Sequence, residues 1–289
     1  MAGFWVKRNG FGRVGAIAML IAGVAPAEAA MTDGLNQHLQ QLHNKMDQAA
    51  NARDRDSLLQ FYGLEFTNND GLNRETLSQS VRQLWQQYPQ LTYRTEVLQA
   101  SPQGQGTDVE TLMRITGDQE QDGRTLKVDI TLRSRQRWQD DKLVQQEILS
   151  EQTRLTIGER PPTVTINLPE TVKVGERYTY EAIVQEPLDG DILMGEILDQ
   201  PVTANQFTQP KPLQLELPTV LELVGNRNFI RLNRPDPKMQ SVNLKRLRAG
   251  GFFKSAQAPK APENRWLSAV LMRHDAGLTI VTQRLRVVE

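Results

Sequence analysis

The chain of 289 residues contains no cysteine. That removes disulfides, thiol nucleophiles, thiolate metal ligands and a lipid-modified cysteine anchor from consideration. A cysteine-free domain outside the cytoplasm must rely on its packed core. Charge of one sign is also missing: 34 basic residues balance 34 acidic ones, so no global basic excess argues for nucleic acid. There is no His-x-x-x-His pair, no phosphate-binding loop and no nucleophile elbow. The longest apolar run, residues 14–24, is eleven residues, well short of the ~20 that cross a bilayer.

What is present begins with that run. Lys7, Arg8 and Arg13 precede it, and Ala27-Glu28-Ala29 follows it, fitting the small-x-small rule of signal peptidase. Residues 1–30 therefore read as a signal peptide. The mature protein is expected in the periplasm, or in the thylakoid lumen of a photosynthetic host. An uncleaved N-terminal anchor, making a membrane-surface structural protein, is the alternative.

From residue 31 the pattern is helical. Leu35, Leu39, Leu42, Met46 and Ala49 form one stripe, Asp54 can cap a short second helix through Phe61, and a third helix starts near Arg74. Thr67–Gly71 reads as a turn. After Pro89 the period switches to two, giving strands around 91–98, 109–115, 126–133 and 142–155, with Gly104, Gly106, Gly117 and Gly123 in the connections. Three helices followed by such a meander, carried by Ala52–Phe61, Asp70-Gly71 and the strands, resemble the nuclear transport factor 2-like superfamily. That resemblance implies an α+β cone over residues 31–157, with helices covering a curved antiparallel sheet and a pocket between them.

Alternation turns Tyr93, Thr95, Val97, Val109, Thr111, Met113 and Ile115 inward, with Leu126, Val128, Ile130 and Leu132, and turns Asp129 outward. No acid or histidine is among these inward residues, so acid–base catalysis is not expected. Tyr93, Thr95, Thr111 and Met113 are the candidate ligand-pocket residues, with ordinary core packing the competing reading. Arg133, Arg135 and Arg137 share one polar face. They are read either as a salt-bridge ladder with Glu96, Glu110 and Asp129 or as a docking face, since this superfamily often pairs through its sheet. His38 and His43, five apart, point about 140° from each other on a helix, so they are read as surface histidines and not as a metal pair.

Glu159-Arg-Pro-Pro162 falls in a linker, residues 158–162. Residues 163–289 offer seven short strand candidates: 163–168, 178–184, 192–198, 213–217, 229–232, 266–273 and 278–287. This resembles an immunoglobulin-like β-sandwich in architecture alone. Charge is segregated here. Glu181 to Glu222 carries eight acids and one base, while Val224 to Lys260 carries nine bases and one acid. Within the basic block, Gly250-Gly-Phe-Phe253 reads as an exposed turn. Arg246, Arg248, Phe252, Phe253 and Lys254 are the candidate docking residues, unless the two blocks simply face each other.

The expected fold class is thus an α+β cone of three helices on a curved antiparallel sheet, plus an all-β immunoglobulin-like sandwich. The expected function is non-enzymatic: an exported binding or assembly factor using both halves as interaction surfaces. An isomerase- or dehydratase-like enzyme in the cone pocket is the alternative. No cofactor or metal is expected. The expected partners are a protein, with a homodimer through the cone-domain sheet and an anionic membrane surface as further possibilities, and no nucleic acid.

Overall fold

A computed structural model describes residues 26–121, 124–188, 192–209, 213–216, 240–247, 250–273 and 277–289. The apolar run 14–24, the strand candidate 229–232 and Arg248 lie outside them. Among the described residues no helix is long and apolar enough to cross a membrane.

The first half opens with α1 (Pro26–Asn51), α2 (Arg55–Leu59), β1 (Tyr62–Asn68) and α3 (Arg74–Gln87). Local chemistry sets these boundaries. The Asp54 carboxylate accepts from the Ser57 N–H and caps α2. Asn73 and Thr76 form a reciprocal capping box that starts α3. Then come β2 (Thr92–Gln103), β3 (Gly106–Gln121), β4 (Arg124–Gln139) and β5 (Lys142–Ile157), an antiparallel meander. Asp140 and Asp141 both take positive φ, as a two-residue hairpin turn between β4 and β5 requires. Gly117 is not in a connection, as its residue type suggested, but inside β3 opposite Val128. A Cβ there would come within 2.8 Å of the Gln90 carbonyl oxygen, so glycine is needed for close approach and not for a turn.

The second half contains β6 (Val164–Asn167), β7 (Thr171–Lys173), β8 (Arg177–Val184), β9 (Leu193–Pro201), α4 (Ala204–Thr208), β10 (Leu213–Glu216), β11 (Gln240–Asn243) and β12 (Lys245–Arg246). It ends with β13 (Gly251–Gln257), β14 (Glu263–Arg273) and β15 (Leu278–Val288). The Gly250-Gly-Phe-Phe253 segment is therefore not a mobile turn. It enters β13, which pairs with β8 from Gly251↔Ile183 to Gln257↔Arg177.

The expected fold class does not hold. Strand residues outnumber helical ones more than twofold among the described residues, and the architecture is predominantly antiparallel β. Nor does the sheet of the first half end at the linker. β15 pairs antiparallel with β5 from Leu278↔Ile157 to Gln283↔Gln152. One ten-stranded sheet results, in the order β12-β9-β14-β15-β5-β4-β3-β2, with β1 on β5 and β7 on β15. The reason the sequence misleads is physical: hydrophobic period reports a strand's faces, whereas its edge partners can lie over a hundred residues away. A second sheet, β13-β8-β6, shares a core with β9, β14 and β15. One layer of the expected sandwich is thus the continuation of the long sheet and not a sheet of its own. The other large core lies between α1, α2, β1 and the meander.

Candidate functional site

The polar loop after β1 is the first part of the site. The Asn68 side-chain oxygen accepts from the backbone N–H groups of Asp70 and Leu72, and Gly71 takes φ +83°. This tight turn directs Asp70 inward, where its side chain is 1% exposed. On β4 and β5, Leu132 lies opposite Glu151, so the carboxylate shares the interior face with a leucine. From the far end of the chain, β15 contributes Arg284, whose side chain is 1% exposed.

The three charges meet. Arg284 Nη1 and Nη2 donate to the two oxygens of Asp70 at 2.7 and 2.8 Å. Its Nε and Nη2 also donate to Glu151 Oε2, at 3.0 and 2.7 Å. Asn264 donates to Asp70 at 2.9 Å, and the Trp266 indole donates to Glu151 Oε2 at 2.9 Å. Burial alone would favour the neutral guanidine, but the adjacent Glu151 and Asp70 carboxylates outweigh it and hold the Arg284 pKa above its ordinary value.

This network ends a cavity of about 310 Å³. Leu77, Val81 and Leu84 of α3, Leu132 of β4, Ile148 of β5 and Phe207 of α4 supply its apolar wall. Phe207 is held edge-on against Trp266, with centroids 5.2 Å apart. Gln83 also lines the cavity. Its amide nitrogen donates to the Thr208 carbonyl, and its buried Oε1 has no partner. The cavity sets this apolar wall beside polar side chains, among them Ser80, Gln87, Gln146 and Gln206, and is charged at one end; both halves of the chain build it.

None of the four candidate pocket residues lines it. The Thr95 hydroxyl donates to Asp47 at 2.8 Å, and Thr111 is bound to Ser134 and Gln136. The Tyr93 hydroxyl accepts from the Trp85 indole, and Met113 packs with Leu91, Ile115 and their neighbours. Strand alternation correctly turned them inward, but onto filled core or hydrogen-bond partners. The residues missed were Asp70, concealed in a turn, and Glu151 and Arg284, which lie on strands whose inward faces were not assigned. Two carboxylates do reach the interior, from a turn and from β5, outside the three strands whose inward faces were read.

A second buried polar group lies under α1. His43 is 1% exposed, not a surface residue, and stands edge-on to Trp138 at 5.2 Å. Neither ring nitrogen has a hydrogen-bond partner. Burial pushes its pKa down to about 4, with the nearby Gln136 amide pulling weakly the other way. That amide is already committed to Thr111, Ser134 and Trp138. One turn on, burial raises the Asp47 carboxyl, against the hydrogen bonds it receives from Thr95. Burial and the Asp47 charge push the Tyr62 phenol up to about 12.

The candidate surface residues are mostly paired. Arg133 bridges Glu110 and Glu170 at 3.2 and 2.9 Å, Arg135 meets Glu147 at 2.9 Å, and Arg137 meets Asp108 at 2.7 Å. These are ladder pairs, of the kind worth about 0–1 kcal/mol each at a surface. Acidic and basic blocks meet where Lys245 contacts Glu196 at 2.7 Å and Lys254 approaches Asp199 at 3.8 Å. Arg246 is exposed on β12. Phe252 packs on the core shared by the two sheets, while Phe253 is 68% exposed.

Residues 159–220 and 232–288 match a family described only as a domain of unknown function (DUF8623), less than half of the chain. No curated protein is similar to it. Among solved structures it is similar to Bd1075 of Bdellovibrio bacteriovorus, at 20% identity and TM-score 0.30 over 43% of this chain. The chain spans 42% of that protein's length. It is also similar to a loop-truncation variant of IdmH, at 13% identity and TM-score 0.28 over 37% of this chain and 88% of that one. An epoxide hydrolase of M. tuberculosis, described as LEH-like, matches at 9% identity and TM-score 0.28, over 39% of this chain and 83% of that one. Likeness this partial assigns neither the whole fold nor an activity.

Proposed function

We propose that the protein binds a small molecule in the cavity between α3, α4 and the sheet. The observation that carries this reading is the cavity itself: about 310 Å³ with an apolar wall, several polar side chains and a buried charged end. Small-molecule sites combine an apolar lining with a few fixed polar groups, and begin at about 300 Å³. The buried Arg284 network serves as the preorganised polar end, because ligand binding there reorders no flexible side chain. The same proposal includes export, which rests on the basic and apolar N-terminal segment and on Ala27-Glu28-Ala29.

The test is a fragment screen by NMR against the protein and against Leu132→Trp. Leu132 lines the cavity, so the larger ring fills it. Binders should shift the Trp266 indole and Ile148 methyl signals in the wild type and lose that effect in the variant. Fragments that bind both proteins equally, or none that shifts those signals, refute the site.

A further inference from the structure

Resting on that binding reading, we propose that the cavity selects a compact apolar amine, bound as its ammonium ion. Three observations converge on a cation. First, the charged end sets one guanidinium against two carboxylates, Asp70 and Glu151, so a positive ligand completes the balance that Arg284 alone leaves short. Buried charge that is not balanced is costly, which gives the completing cation a large differential gain.

Second, the strong donors are nearly all committed. Arg284 commits four of its five N–H donors, all to the two carboxylates, which leaves a single Nη1 N–H. The Trp266 indole has a single N–H and gives it to Glu151. An anionic ligand would meet two like charges and at most one guanidinium N–H, with no pair of donors to grip it.

Third, the buried side-chain atom left without a partner in this cavity is an acceptor, and a second acceptor lies beside it. Every hydrogen bond that reaches Glu151 ends on Oε2, which leaves Oε1 without a donor. Gln83 Oε1 is buried and unpartnered, and Gln83 lines the same cavity. A buried acceptor without a donor costs stability, so a ligand bringing N–H groups relieves it. An ammonium carries three donors and no acceptor. The remainder of such a ligand is compact and mainly apolar, to pack against Leu77, Val81, Leu84, Leu132 and Phe207, with Ser80, Gln87, Gln146 and Gln206 as the polar part of the lining.

The experiment uses three probes of nearly equal shape, cyclohexylamine, cyclohexanol and cyclohexanecarboxylate, titrated at neutral pH with the full chain and followed by NMR. Cyclohexylamine should bind at least about tenfold more tightly than cyclohexanol, the usual margin of a charge-assisted hydrogen bond. The carboxylate should not bind. Glu151→Gln should lower amine affinity about tenfold and leave the alcohol within about twofold. Because Glu151→Gln also disturbs the Arg284 network, Gln83→Met serves as the second variant. It leaves all three charges in place and should likewise weaken the amine more than the alcohol. Alcohol or carboxylate binding as tight as the amine overturns the selectivity and leaves the cavity standing as a binding site. If none of the three shifts Trp266 or Ile148, the proposal falls, and the fragment screen with Leu132→Trp then decides separately whether the cavity binds at all.

Discussion

Acid should destabilise this protein through His43. The ring is 1% exposed and its pKa is held at about 4 by burial, against 6.5 for an ordinary histidine. The unfolded chain therefore takes up a proton near pH 6.5, while the native ring resists protonation until about pH 4. Between those values the unfolded state binds more protons, so stability is fully present above about pH 6.5 and drains away as pH falls. Each pKa unit is worth 1.36 kcal/mol, which puts the loss at about 3 kcal/mol by pH 4. Against a total stability of about 5–15 kcal/mol, that is a substantial fraction. Asp47 acts in the opposite direction, because burial raises its folded pKa. A simple pH profile would mix the two, along with every other carboxylate. The clean measurement is the difference between wild type and His43→Leu, from urea unfolding at several pH values. That difference should shift by about 3 kcal/mol against the wild type between pH 7 and pH 4. NMR of the ring should place its titration near pH 4. A difference that stays flat across this range, or a ring that titrates near 6.5, refutes the reasoning.

Two further perturbations test other parts of the structure. Arg284→Met strips Asp70 and Glu151 of their shared cation while both stay buried, and should cost about 3–5 kcal/mol by urea denaturation; a loss under about 1 kcal/mol would mean that water reaches these carboxylates. Phe252→Ala should cost about 3–5 kcal/mol, because that ring packs on the shared core. Phe253→Ala, at a side chain 68% exposed, should stay within about 0.5 kcal/mol, and equal melting-temperature shifts for the two would show that the order of in and out on β13 is wrong.

Much of the local structure was legible because local rules decide it. The third helix begins where Asn73 can cap it, and the meander strands alternate as the period of two requires. Where the chain met itself over long distances, no local rule applied. β1 was not read as a strand: the second helix ended at Phe61 and the turn began at Thr67, and the strand between them pairs in parallel with β5 across an irregular register. The site shows the same division. Glu151 was in principle readable. The Asp140-Asp141 turn brackets the hairpin, and Leu132, already assigned to the interior, lies opposite Glu151 once two register irregularities are counted. Asp70 carried the signature of a turn residue and is one, but the turn points it inward. Arg284 had no local signal, because its partners lie 214 and 133 positions earlier in the chain.

α1 shows why amphipathic reading undercounts what a polar face can do. Leu35, Leu39, Leu42, Met46 and Ala49 form the stripe that packs on the core, which leaves Gln40, Asp47 and Asn51 for solvent. Instead, these three meet the outer edge of β2. Gln40 accepts from the Val97 N–H and donates to the Thr95 carbonyl; Asp47 accepts from the Thr95 N–H; Asn51 exchanges both bonds with Tyr93. The geometry permits it. Positions 40, 47 and 51 lie within about 20° of one line along a helix and span roughly 16 Å, at 1.5 Å per residue. Residues 93, 95 and 97 project from one edge of a strand and span roughly 14 Å. A helix thereby stands in for the missing neighbouring strand, and the edge that would otherwise invite pairing is closed. The N–H groups of Tyr93, Thr95 and Val97 and the carbonyls of Tyr93 and Thr95 are thereby committed. The cavity beneath α3 stays open beside this closed edge, and its charged end is completed by Arg284 of the last strand.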